Sequence, residues 1–316
     1  TINDFGIEGA AEHAIALDSQ KQAQKFHQKL HNEILKAQTQ KDDIRRGQLE
    51  VVIVGAGATG VELAAELHKA TREMTAYGLD KINPDRDIRI SLIEASDRLL
   101  PALPKRMSLS VDRELKKLNV NLYLNERVVN VSGKGIKTHT GRFIPSALVV
   151  WAAGIKAPEF LKNLGIEING INQIIVKSTL QSIDDDSIFA FGDCAACPIK
   201  PGVQDLVPPR AQSAHQQASL LGRTMRRLVA GENNNLPQYS YKDYGSLVNL
   251  GRYSTVGNLM GSLTGGSMFI EGFVARIMYL MLYQMHLMAL HGVTVVSLRL
   301  IAKFITRRTE THVKLH

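Results

Sequence analysis

The sequence is short of cysteine and of any motif for metal-centred or triad catalysis. Two cysteines occur in 316 residues, Cys194 and Cys197. Two thiols cannot staple a chain of this size, which excludes a disulfide-built secreted scaffold and points to a reducing compartment. Their C-x-x-C spacing suits a redox pair or half a metal site. No second C-x-x-C or histidine pair follows at ligand spacing, so two unpaired thiols is the plainer reading and no metal is expected. The ten histidines include no H-E-x-x-H pattern. No zinc-finger or other nucleic-acid motif is present, and no nucleic-acid partner is expected. The chain also lacks repeats, low-complexity stretches and a charged-then-apolar leader after Thr1.

What is present begins with charge. The net charge is +8, which favours an anionic partner. The last 71 residues, from Ser246, hold seven basic residues and two acidic ones beside a long apolar run. Basic charge next to apolar surface suits a lipid headgroup layer.

The length predicts about two domains. Residues 19–46 carry Phe26, Leu30, Ile34 and Leu35 at helical spacing, with Gly47 beyond. Residues 49–54 read as a buried parallel strand, 58–76 as a helix, 88–95 as a second strand, 107–118 as a helix and 120–124 as a strand. Short strands near 128–131, 136–138 and 143 suggest a hairpin layer, and 148–154 another buried strand. This alternation predicts a doubly wound α/β domain. Residues 187–193 (SIFAFGD) read as a short buried strand ending in a glycine turn. Pro208-Pro209 opens a helix running to about Ala230.

The strongest motif is VVIVGAGATGVELAAEL, residues 51–67, in which Gly55, Gly57 and Gly60 form G-x-G-x-x-G between a strand and a helix. In that context the first glycine permits a tight turn, the second lets backbone approach a pyrophosphate, and the third lets helix pack on strand. The helix N-terminus offers free N–H groups to the phosphates. Glu94, at the end of the next strand, stands 34 residues beyond Gly60. A carboxylate there accepts ribose hydroxyls and repels a 2′-phosphate, favouring NAD(H) over NADP(H).

Seven blocks then resemble one family in order and spacing: GAGATGVELAAELH (55–68), RLLPALP (98–104), VVWAAGIKAPEFL (149–161), IFAFGDCAACP (188–198), PPRAQSAHQQA (208–218), YKDYGSLVNLGRYSTVGNLMGSLTGGSM (241–268) and RLIAKFITRR (299–308). The chain resembles the type II, non-proton-pumping NADH:quinone dehydrogenases, in their proteobacterial membrane-bound form. These are two-dinucleotide-fold flavoproteins with the NADH domain inserted in the FAD domain. The resemblance implies an FAD-domain piece at 1–47 and an NADH-binding Rossmann-like domain at 48–159. It implies an FAD-domain return segment with a quinone-site helix at 160–240 and a membrane-association region at 241–316. It also implies that the flavin's own glycine loop lies upstream of Thr1, so the chain is expected to be a fragment of a longer protein.

The same resemblance assigns roles. Gly192 and Asp193 are expected at the flavin, with Asp193 on its ribityl chain; read alone, Asp193 is also a turn-capping acid. Ala153 and Gly154 are expected on the loop beside the nicotinamide, where small residues allow close approach. Gln212 and Gln216, spaced i,i+4, are expected between flavin and quinone; on spacing alone they are two solvated amides. Glu62 is expected near nicotinamide and flavin, or is simply an acid favourably placed near a helix N-terminus. Cofactors are then FAD and NAD(H), the substrate a quinone, and a homodimer is left open.

From Ile277 to Leu298, 22 residues carry no formal charge, diluted by Gln284, His286, His291 and Gly292. Beyond them Arg299, Lys303 and Arg307 repeat at i,i+4 opposite Leu298, Ile301 and Ile305. This predicts monotopic attachment to an anionic membrane surface rather than a span, on the cytoplasmic face of the bacterial inner membrane. Two other readings stand beside this one. A soluble flavoprotein disulfide reductase would need a redox cysteine pair upstream and a soluble dimerisation domain. A catalytically inactive, membrane-associated dinucleotide-binding module would bind NADH without flavin or turnover.

Overall fold

The computed structural model of the chain describes residues 1–75, 79–232, 235–251, 254–261 and 266–306. In chain order, α1 (Ala10–His13), β1 (Ala14–Ala16) and α2 (Gln20–Thr39) lead to β2 (Glu50–Val54), α3 (Ala58–Thr75), β3 (Arg89–Ile93), α4 (Lys105–Lys117) and β4 (Asn121–Tyr123). Then come β5 (Val128–Ser132), β6 (Gly135–Thr138), β7 (Phe143–Pro145) and β8 (Leu148–Trp151). The remainder holds β9 (Ile174–Ile175), β10 (Ala195–Ala196), α5 (Ala211–Val229), β11 (Gly245–Asn249), β12 (Thr255–Gly261), β13 (Gly266–Glu271), α6 (Phe273–His291) and α7 (Val293–Thr306).

The chain folds as two compact units. The larger holds Asp4–Ala153, Gly245–Leu259 and the described residues from Ser267 on; the smaller holds Thr1–Asn3, Gly154–Tyr244 and the described part of 260–266. In the larger unit five parallel strands stand in the order β1-β8-β2-β3-β4. Every residue of β2 and β8 is buried, because helices cover both faces of a parallel sheet and leave no polar side. Chain order reverses at β2, which has β3 on one side and β8 on the other, and ligands bind at the carboxyl ends of strands at such a point. An antiparallel layer, β5-β6-β7, and most of the sheet β11-β12-β13 complete this unit's strands.

The expected boundary at residue 47 does not divide the fold. β1 pairs in parallel with β8, Ile15 opposite Val150. The apolar stripe of α2, Phe26, Leu30, Ile34 and Ala37, joins one core with Val51, Ile53, Ala64 and Leu92. Residues 4–47 therefore pack on the dinucleotide-type sheet, since that stripe must be buried and this sheet face is what buries it. Helix α2 also stops at Gln40, before Gly47: the Gln40 and Gln48 side chains exchange amide hydrogen bonds (2.7 and 3.3 Å) and hold the turn between them.

In the smaller unit a core of Leu161, Ile174, Val176, Leu180, Ala190 and Leu220 lies around β9, β10 and α5. Residues 187–193 do not form the expected strand. The Ser182 N–H donates to the Ile188 carbonyl and the Ala190 N–H to the Leu180 carbonyl, and a single antiparallel bridge joins Gln181 to Phe189. Only Ala190 of the run is buried; Ile188 and Phe189 are half-buried and Phe191 is exposed, so the segment is a turn at the surface and not a core strand.

Candidate functional site

The glycine loop follows β2 and opens α3, as the fingerprint requires. Gly55 has φ +100°, and a β-carbon there would meet the Ala153 backbone at 2.7 Å. A β-carbon on Gly60 would lie 1.9 Å from the Gly55 carbonyl oxygen. Gly55 thus needs its own backbone freedom, and Gly60 needs space for helix against loop. Gly57 differs: a β-carbon there has no heavy atom within 4 Å. The fold does not need glycine at 57, whereas a pyrophosphate reaching the N–H groups at the start of α3 does.

Glu94 stands directly after β3. Its Oε2 accepts from the Ala56 N–H at 2.8 Å and its Oε1 from the Ser96 N–H at 2.9 Å. Two of roughly four lone-pair sites are then used, and the rest remain able to accept from a ligand. Glu94 so both braces the loop and offers acceptors beside it. Trp151 is core, 1% exposed, and its indole N–H donates to the Ala153 carbonyl at 2.9 Å. That bond, which the sequence reading missed, sets the position of Ala153 against Gly55. Gly154 follows with φ +65°, and the chain passes from the larger to the smaller unit between these two residues.

Glu62 lies on α3 with its carboxylate accepting from the Asn249 N–H, at the end of β11, at 2.9 Å. Burial pushes its pKa up, the Asn249 N–H opposes this, and the Glu66 charge adds to the rise. Because the folded state holds this proton more tightly, stability is greatest below the ordinary carboxylate range and falls as pH rises through the raised pKa. Glu62→Gln keeps an acceptor for Asn249 and removes the charge. Thermal melts are expected to show the variant more stable than wild type at pH 7 and no different at pH 4; equal melting points at both would refute the burial argument.

In the smaller unit Gly192 has φ +71° and Asp193 follows in a short 3-10 turn. The Asp193 carboxylate is exposed and has no hydrogen-bond partner among the described residues, which suits an acid facing a ligand more than a capping acid. The Gly192 N–H is held by the side-chain carbonyl of Gln217 at 2.7 Å. Gln217 is 1% exposed and was not expected. The signal was there, because Ser213, Gln217, Leu220 and Thr224 fall on the buried stripe of α5, and a polar residue at core spacing needs a partner.

Gln212 and Gln216 both turn to the segment 242–244. Gln216 exchanges bonds with the Lys242 backbone (2.8 and 3.0 Å), and Gln212 accepts from the Tyr244 N–H and donates to Asp243 (both 3.2 Å). They clamp this segment through its backbone and the Asp243 carboxylate, and are not two solvated amides. Cys194 and Cys197 are free thiols, and burial pushes Cys197 up to about 12, so it offers no thiolate near neutrality.

A second candidate surface is formed by α6 and α7. Gly292, φ +82°, ends the expected uncharged run as a single helix and starts α7 at Val293, earlier than the sequence reading placed it. Helix α6 is long and apolar enough to cross a membrane by length and composition, yet only 6% of it is buried. Met281, Leu290, Leu298 and Ile305 are 62–78% exposed. Arg299 and Lys303 lie on α7; Arg307 falls outside the described residues.

Three comparisons bear on this geometry. The pyridine nucleotide-disulphide oxidoreductase family profile matches residues 1–218. A type II NADH:quinone oxidoreductase of Haemophilus influenzae is 39% identical over 99% of this chain and 72% of its own length. The NdhA enzyme of that name from Mycobacterium tuberculosis is 30% identical over 77% of this chain and 51% of its own length. The fold matches NDH2 of Plasmodium falciparum, solved in complex with NADH, with a TM-score of 0.82 at 20% identity, over 99% of this chain and 77% of that one. With the glycine loop, its glutamate and the ordered blocks around them, the chain belongs to the pyridine nucleotide-disulphide oxidoreductase family and, within it, to the type II NADH:quinone oxidoreductases.

Proposed function

We propose that the chain is a working part of an enzyme that takes two electrons from NADH and, with two protons, delivers them to a quinone at a membrane surface. NADH and one solution proton go in with the quinone; NAD⁺ and the quinol come out. The observation that carries this is the Gly55–Gly60 loop, open above Gly57 and braced by Glu94. A flavin supplies the relay between a two-electron donor and a quinone.

The residues then divide the work. Gly57 and the first turn of α3 hold the pyrophosphate, and Glu94 holds the adenosine ribose and excludes a 2′-phosphate. Ala153, fixed by Trp151, and Gly154 border the nicotinamide. Gly192, fixed by Gln217, and Asp193 hold the flavin's ribityl side. Gln212 and Gln216 fix segment 242–244 and place it for the quinone. Glu62, whose pKa burial raises above the ordinary carboxylate range, is the acid available for proton handling. The exposed apolar faces of α6 and α7, with Arg299 and Lys303, attach the protein monotopically to anionic lipid, on the cytoplasmic face of a bacterial inner membrane.

Glu94→Ala is expected to weaken NADH binding about tenfold to a hundredfold, since each charge-assisted bond to a ribose hydroxyl contributes roughly 1.5–3 kcal/mol, and to narrow the preference for NADH over NADPH. Fluorescence titration with both nucleotides checks this, and unchanged affinities would remove the ribose role. Flavin-reconstituted protein on anionic vesicles is expected to oxidise NADH only when a quinone is supplied. NADH binding with neither flavin absorbance nor turnover would favour the inactive-module reading instead.

A further inference from the structure

At the opposite end of the sheet from the glycine loop, the larger unit contains a cavity of about 250 Å³. Its lining includes His68 and Arg72 from α3, Asp85 and Arg86 from the following loop, Arg89 at the start of β3, and Asn119 after α4. None of the chemistry assigned above uses these residues.

The lining is rich in donors. Three guanidiniums offer about five N–H groups each, in forks that match phosphate geometry. Arg72 bonds to the His68 carbonyl and pairs with Asp85, and Arg86 pairs with Asp87 in a two-point contact at 2.7 and 3.0 Å. Arg89 and the Asn119 amide have no side-chain partner among the described residues. Arg72, in the last turn of α3, offsets part of the negative partial charge at that helix end, whereas Lys116 and Lys117 of α4 are paired with Asp112 and Glu114 and take no part in the lining. Arg89 is thus surplus cation beside an open volume. His68 is buried and neutral near pH 7, held down to about 4 by burial and by Arg72, so it adds no competing positive charge. The depression is open to solvent at Asp85, Arg86, Arg89 and Asn119, so a phosphate there can carry a small hydroxylated group, whose O–H would donate to Asp85.

We propose that this cavity binds a phosphomonoester dianion, held by the forks of Arg89 and Arg86 and by the Asn119 amide. The site is separate from the dinucleotide cradle and does not rest on the redox reading.

The test is thermal melting of the full chain at fixed ionic strength, with sodium chloride exchanged for inorganic phosphate or for glycerol 3-phosphate. Both anions are expected to raise the melting point in a saturable way that chloride does not, as a ligand of the folded state must. A stronger effect of the ester assigns the site to a phosphorylated metabolite, and an equal one to free phosphate. Arg89→Ala and, separately, Arg86→Gln are expected to weaken the response about tenfold, and Gly57→Asp, in the cradle, to leave it intact. The C2 proton resonance of His68 is expected to move with the same saturation. A shift no larger than with chloride, a full response in both arginine variants, or a response lost in Gly57→Asp would overturn the proposal.

Discussion

Gly57→Asp is expected to abolish measurable NADH binding, a loss above about a hundredfold, while leaving the melting point unchanged or slightly raised. The two effects separate because position 57 serves the ligand and not the fold. A β-carbon there meets no heavy atom within 4 Å, so the first side-chain atom carries no packing penalty. Position 57 immediately precedes α3, where aspartate is among the best helix caps and its charge suits the positive end of the dipole. The carboxylate would take the same N–H groups that the pyrophosphate needs, and it adds like charge beside the phosphates. Gly60→Ala is the contrasting case. Its β-carbon would stand 1.9 Å from the Gly55 carbonyl oxygen, so α3 must lift from β2, at a cost of about 1–3 kcal/mol or more. Calorimetric melts and NADH titration of both variants decide the matter. If Gly57→Asp bound NADH like wild type, the open space above residue 57 would not be the pyrophosphate site.

How far the sequence alone reached depended on whether local chemistry or distant partners decide a feature. The β2–Gly55–α3 element was legible because strand, turn and helix each announce themselves within a few residues, and the glycines have separate steric reasons. Glu94 was legible because a strand end fixes where a side chain emerges. By contrast β1 is three residues long with one fully buried side chain, Ile15, and no periodicity can mark so short a strand; its pairing with β8 is settled 135 residues away. The stripe on α2 predicted a buried face and not which sheet would bury it. On spacing alone Gln212 and Gln216 read as solvated, because their partners at 242–244, backbone groups and the Asp243 carboxylate, carry no sequence signature. Gly292 was seen only as a diluting residue, although glycine beyond an apolar stretch is also a helix stop. Its positive φ makes two helices of one run.

Replacing Leu290 and Leu298 together by aspartate is expected to lower partitioning onto anionic vesicles about a hundredfold, with no loss of thermal stability. The two side chains are 78% and 62% exposed, so the fold gains little from their apolar character. Inserted in a lipid interface, each contributes roughly 1.5–3 kcal/mol of transfer free energy. Removing both therefore costs about 3 kcal/mol or more, and two decades of affinity correspond to about 2.7 kcal/mol. Each new carboxylate also meets the negative surface potential, at about 1 kcal/mol per charge near the headgroups. Leu290 ends α6 and Leu298 lies on α7, on either side of the Gly292 break, so the pair samples both helices. Flotation with vesicles of graded anionic lipid content measures the effect, and NADH titration of the same variant should show an unchanged cradle. A second copy of the chain is the competing occupant of this apolar surface. It would show as wild-type flotation by the double variant, together with a change from dimer to monomer in sedimentation, and that outcome would assign α6 and α7 to self-association instead of lipid.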